Sequence, residues 1–100
     1  MKKLIALYET PGDPVAFMEH YKSVHLPLSA KVPGLFRMEL SRIDRTLLGR
    51  DGNYLLAELY FEDEHFRDAL RSPENALLGK DLGTFAENLV TVMTAEIVDI

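Results

Sequence analysis

The chain contains no cysteine and no tryptophan in 100 residues. The missing thiols exclude disulfides, thiolate metal sites and a cysteine nucleophile, and they suit a cytoplasmic protein. Long hydrophobic runs are also missing. Nothing approaches the ~18 apolar residues of a membrane span, and Leu4 to Tyr8, after Lys2-Lys3, is too short for a signal-peptide core. A basic excess is absent: 11 Lys and Arg stand against 16 Asp and Glu, a formal charge of −5. The cations are scattered, so there is no basic face to meet nucleic-acid phosphates. No GxSxG elbow, HExxH motif, solenoid repeat or linker-like tract occurs.

What is present is the composition of one ordinary domain over residues 1–100, with 47% apolar and 27% charged residues. Lys3 to Glu9 is nearly continuously apolar and predicts a strand covered on both faces. After the turn Thr10-Pro11-Gly12, Asp13 as N-cap and Pro14 as first helical residue start the longest helical segment, which runs to Gly34. Phe17, Tyr21, Val24 and Leu28 form one buried stripe along it. His25 borders that stripe, whereas His20 falls off it and is expected to be exposed, as is His65. Pro27 removes a backbone donor and disfavours helical geometry at Leu26, which predicts a kink or restart around His25 and Leu26.

Leu35 to Ile43 alternates as a half-buried strand, with Phe36, Met38 and Leu40 on one face. Asp44 to Gly52 reads as an exposed hairpin loop with Leu47-Leu48 at its tip. Asn53 to Glu62 is the strongest strand, placing Leu55, Ala57, Leu59 and Phe61 on one face and Tyr54, Leu56, Glu58 and Tyr60 on the other. Asp63-Glu64-His65 opens a short helix. Ser72-Pro73 starts another, Glu74 to Asn88, in which Leu77, Leu78, Leu82 and Phe85 are buried and Gly79 and Gly83 suggest irregularity. Leu89 to Ile100 reads as a long closing strand.

The order β-α-β-β-α-β predicts an α+β, ferredoxin-like antiparallel sheet with its helices on one face. The second face is still apolar and no element is left to cover it. That points to a homodimer formed through the sheet face.

Several separated markers agree in order and spacing: Asp13-Pro14, Phe17, His20-Tyr21, His25-Leu26-Pro27-Leu28 and Pro33-Gly34-Leu35, then Ser72-Pro73-Glu74 and Asp81-Leu82-Gly83-Thr84-Phe85. Together they resemble the EthD family, named for a small protein associated with degradation of ethyl tert-butyl ether. The resemblance covers essentially the whole chain. It implies a dimeric α+β barrel with a pocket between helices and sheet in each subunit. Relatives on this scaffold include cofactor-free monooxygenases of polyketide quinone pathways, muconolactone isomerases, aromatic-polyketide dehydratases and decarboxylases, and haem-binding enzymes. The scaffold therefore does not fix the reaction. A broad oxidoreductase label is the one usually attached to the EthD group.

His25 is the leading candidate for chemistry, since an imidazole titrates near neutrality. It either acts as general acid/base or fills the kink and donates to a carbonyl freed by Pro27. Glu58, mid-strand, needs a partner. It either orients His25, acts as a base itself, or pairs with Arg37 or Arg42. Phe17, Tyr21, Tyr54 and Tyr60 are candidate substrate-binding residues, with core packing as the competing role. No metal site is expected, because the three histidines point apart. With these residues, the resemblance implies a cofactor-free enzyme, of oxidoreductase/monooxygenase or lyase/isomerase type, acting on a small aromatic or polyketide-like molecule. The alternatives are a non-catalytic dimer that binds a hydrophobic ligand, and a haem protein with His25 as ligand.

Overall fold

The computed structural model describes every residue from Met1 to Ile100. The elements are β1 (Lys2–Glu9), α1 (Pro14–His20), a π-helical turn (Tyr21–His25), α2 (Leu26–Ser29), β2 (Leu35–Arg42), β3 (Asn53–Phe61), α3 (Asp63–Arg71), α4 (Pro73–Phe85) and β4 (Val90–Glu96). The four strands form one antiparallel sheet in the order β2-β3-β1-β4, with the helices packed on one face. This is the ferredoxin-like α+β fold. β1 lies between two neighbours, pairing Leu4 with Leu59 on one side and with Thr94 on the other, but only its Leu4, Ala6 and Tyr8 face meets the helices. Ile5 and Leu7 lie on the uncovered face, so within this chain β1 is not covered on both faces as its sequence predicts.

The helix starts are capped as their sequences require. Asp13 Oδ1 accepts from the Ala16 N–H at 3.1 Å, and Ser72 Oγ accepts from the Asn75 N–H at 3.1 Å, each followed by a proline at the first helical position. Caps of this kind contribute about 1 kcal/mol each. Gly34 turns the chain into β2 with φ +79°, and a Cβ there would stand 3.0 Å from His65 Cβ. Glycine is the residue that fits both demands.

The distortion expected at Pro27 takes the form of a π turn. The Leu26 N–H donates to the Tyr21 carbonyl, one residue further back than in an α-helix. This rearranges the buried stripe, which is Phe17, Tyr21, His25 and Ser29, while Val24 is exposed and Leu28 half-buried. In a regular helix residues four apart drift by ~40° at each step. The wider turn absorbs part of that drift and holds His25 and Ser29 against the sheet.

Four further expectations are corrected. β4 stops at Glu96 rather than reaching Ile100, because β1 has run out: the Ile97 N–H reaches only the Met1 carbonyl at 3.1 Å. A register shift between Leu35 and Arg37 leaves Phe36 without a partner on β3 and 59% exposed, so Leu35 takes its inward place beside Met38. α4 is continuous through Gly79 and Gly83. Its inward residue is Leu78, whereas Leu77 is 50% exposed. Leu47 and Leu48 project from the β2–β3 loop as expected.

Candidate functional site

A cavity of about 170 Å³ lies between the sheet and the helices. Its floor is Leu4, Ala6 and Tyr8 of β1 with Ala57 and Leu59 of β3, its far wall is α4, and its rim includes Val92 of β4. Tyr21, His25 and Ser29, brought into line by the π turn, close one side.

His25 is 5% exposed and is held from behind. Its Nδ1 lies 2.8 Å from Asp81 Oδ2, and its ring packs against Tyr21 and Phe85, each at 5.2 Å between centroids. The second oxygen, Asp81 Oδ1, lies 2.9 Å from His20 Nε2. Burial works against ionisation of Asp81, but hydrogen bonds from His25 and His20, the His20 charge and the Thr84 hydroxyl outweigh it and hold the carboxyl below its usual range. An ionised carboxylate only accepts, so His25 Nδ1 carries the hydrogen and, in the neutral ring, Nε2 carries the lone pair. Burial lowers the pKa of His25, against the opposing hydrogen bond and charge of Asp81 and assisted by His20. The ring is therefore the free base at neutral pH.

The Tyr21 hydroxyl is fully buried and its O–H finds no acceptor, while the neighbouring Tyr8 phenol is turned toward its oxygen. Burial, moderated by the neighbouring Tyr8 phenol, pushes its pKa up to about 12. Burial also pushes up the pKa of Tyr8, helped by Tyr21 and the charge of Asp81. Both phenols are thus protonated donors lining the cavity. Ser29 Oγ is already spent on the His25 carbonyl at 3.0 Å, and Asn75 Nδ2 on the Leu70 carbonyl at 3.1 Å.

Of the residues proposed from sequence, His25 and Tyr21 meet at the cavity. Phe17 and Tyr54 stand behind it in the aromatic core, with ring centroids 5.8 Å apart and edge to face. The shift in pairing between β1 and β3 that follows Tyr8 leaves Tyr54 between paired residues and lets it pack on the helix side rather than with Glu58. Glu58 and Tyr60 lie on the opposite sheet face, since strand alternation sets them against Ala57 and Leu59 of the cavity floor. Glu58 bonds Lys3 Nζ at 2.7 Å, not an arginine, and cannot orient His25. That position belongs to Asp81.

His20, expected to be exposed and apart from His25, is instead half-buried and joined to it through Asp81. An i→i+5 turn brings residues five apart together. Asp81 could have been found from spacing: it sits three residues after Leu78 and four before Phe85, an acid on the apolar side of α4. His65 is remote and exposed, and no group of metal-ligating side chains is assembled.

The sheet, the helical layer and the cavity between them define the ferredoxin-like architecture of dimeric α+β barrel proteins. No family model matches the chain. A crystal structure of an EthD family protein from Bacillus halodurans is 43% identical, with a TM-score of 0.89, covering 98% of this chain and 99% of that one. The chain belongs to the EthD family. An uncharacterised 11.0 kDa protein from the thcB-thcC intergenic region of Rhodococcus erythropolis is 37% identical over 98 residues, 93% of this chain and 91% of that protein. The fold extends to SnoaB, a cofactor-independent oxygenase from Streptomyces nogalater, at 19% identity and a TM-score of 0.60, over 98% and 91% of the two chains.

Proposed function

We propose that the protein is a cofactor-free enzyme that moves a proton on a small aromatic or polyketide-like molecule, with His25 as general base and Tyr21 as hydrogen-bond donor. One observation carries this reading: Asp81 fixes the Nδ1–H of His25, and the opposite nitrogen has no protein partner at a cavity wall beside a phenol whose O–H finds no acceptor. His25 Nε2 would take a proton from an acidic C–H or O–H. Asp81 would stabilise the imidazolium, and Tyr21 would donate to the substrate oxygen on which charge develops. This step is common to isomerisation, elimination and cofactor-free oxygenation. SnoaB supports the absence of a cofactor only as a protein of like fold.

The size of the cavity disfavours the haem alternative: sites for drug-sized ligands run to ~300–1,000 Å³, against about 170 Å³ beside His25. We further propose a cytoplasmic homodimer that covers the outer sheet face around Ile5, Leu7, Leu56 and Met93. These apolar side chains lie on the face that no helix protects.

The test is deuterium incorporation from D₂O into phenylacetone and oxygen uptake with the tricyclic ketone anthrone. Wild-type protein accelerates at least one of the two, and His25→Ala lowers that rate by about 10²–10⁴-fold. Undiminished turnover in His25→Ala rules out the assignment.

A further inference from the structure

The polar and steric character of the cavity says more about its ligand than the presence of a base. A cavity of roughly 150 Å³ in another protein takes benzene, so the partly open space of about 170 Å³ here matches one ring with a short substituent. No Lys or Arg lines it, and the Asp81 carboxylate stands behind His25. An anionic ligand would lose its hydration without gaining a cation. Ser29 and Asn75 are occupied by backbone carbonyls. The Tyr8 phenol is turned toward the Tyr21 oxygen, which leaves the Tyr21 O–H and the outer nitrogen of His25 as the free polar groups, and the Tyr21 O–H is fully buried with nothing to accept from it. Such a group destabilises the protein until something accepts from it.

The rim carries a second, independent signal. Gly79 and Gly83 both lie inside α4, where glycine is destabilising relative to alanine. Neither has a positive φ, and a Cβ at either would meet nothing within 4 Å. The fold therefore demands glycine at neither position. Only Gly79 lines the cavity, where the exposed Val92 also borders it.

We infer that the cavity takes an uncharged, single-ring carbonyl or phenolic compound whose oxygen meets the Tyr21 hydroxyl, and that Gly79 is the residue that keeps the mouth open and sets the ligand's size. The inference rests on the proposed site but not on its catalysis. A larger molecule would have to protrude past Gly79 and Val92 into solvent. A side chain at Gly79 would stand in that opening, whereas one at Gly83 would not.

The experiment follows amide chemical shifts of Tyr21, Gly79 and Leu82 during titration with phenylacetone, propylbenzene, phenylacetate and anthrone. Phenylacetone binds, propylbenzene binds about tenfold more weakly, and phenylacetate and anthrone do not perturb these residues. Tyr21→Phe removes the preference for phenylacetone over propylbenzene. Gly79→Leu abolishes phenylacetone binding while Gly83→Leu, an equal change in the same helix, retains it, with circular dichroism showing both folded.

Binding of phenylacetate or anthrone as tight as that of phenylacetone overturns the inference. So does equal behaviour of the two leucine variants, or no binding of phenylacetone. Anthrone turnover that depends on His25, without phenylacetone binding, would leave the catalytic proposal standing and sink this one. Binding controlled by Gly79 without any turnover would do the reverse.

Discussion

The two faces of the sheet each hold a partly sheltered carboxylate, and the two are wired differently. On the helix side Asp81 accepts from the imidazoles of His25 and His20, beside an apolar cavity. On the open side Glu58 pairs with Lys3 at 2.7 Å, while Tyr60 lies beneath the guanidinium of Arg37 at 4.3 Å and its hydroxyl donates to Glu39 at 3.3 Å. Lysine and arginine do not change charge at physiological pH. The open face is thus an electrostatic surface of constant charge, and the covered face is one on which protons can move. Burial alone would not separate them; the pKa of the partner does.

The sharpest way to break this contrast is Asp81→Asn. The neutral amide keeps the shape of the carboxylate but offers one accepting oxygen and one donating nitrogen, so the two imidazoles can no longer both donate to it. One histidine then loses its bond or changes tautomer, at a cost of up to about 1–3 kcal/mol, read as a fall in denaturant midpoint. The hydrogen bond and charge that now raise the pKa of His25 against burial also vanish, so its pKa drops further below 6.5. Proton-transfer turnover falls with the loss of the fixed Nδ1–H tautomer. Nitrogen-15 shifts of the His25 ring report both effects. An unchanged tautomer and pKa in this variant would show that Asp81 does not govern His25.

A weaker perturbation is pH itself. His25 has a folded pKa lowered from 6.5, so the unfolded chain binds the extra proton first. Its contribution is complete above 6.5 and is lost as pH falls through the lowered value. Asp81, lowered from 3.8, adds a second loss in more acid solution. In alkali the sign reverses: Tyr21, raised from 10.0 to about 12, gives a contribution present below 10 and lost as pH rises through 12. Stability should be flat between these limits, and the acid shoulder nearest neutrality should disappear in His25→Asn. A shoulder of undiminished size in that variant would assign the titration elsewhere.

Much of this contrast is legible in the residues and part of it is not. Capping pairs such as Asp13-Pro14 and Ser72-Pro73, and alternation in β3, are local signals, and they place the starts of α1 and α4 and, Tyr54 apart, the two faces of β3. The distortion at Pro27 is also local, but its form is not. Pro27 states only that a donor is missing; whether the chain kinks, restarts or widens depends on packing against β1 and α4. The π turn then decides which histidine faces what, so His20 and His25 meet at Asp81 against the expectation from regular geometry. Asp81 itself is 56 residues from His25 in sequence. Periodicity marks Asp81 as an acid on the apolar side of α4, but which side chain it meets is set by how α4 crosses the first helical segment. Glu58 invites the opposite error. A mid-strand acid looks like a functional group until the register of β1 shows that Lys3 is within reach.

The smallest effect is expected on the open face, and it tests whether that face is inert. Glu58→Gln removes one charge from a pair whose partner is 23% exposed, and partly exposed ion pairs contribute ~0–1 kcal/mol. The pKa of Lys3, now raised by its hydrogen bond to Glu58, should fall back toward 10.5. The His25 titration should not move, because no hydrogen-bonded group links the two faces. Should the proposed dimer bury this face, the cost in Glu58→Gln grows and the unfolding midpoint of both proteins depends on protein concentration. A concentration-independent midpoint together with a loss well above 1 kcal/mol would fit neither reading of the open face. A shift in His25 titration would show that the two carboxylates are coupled after all.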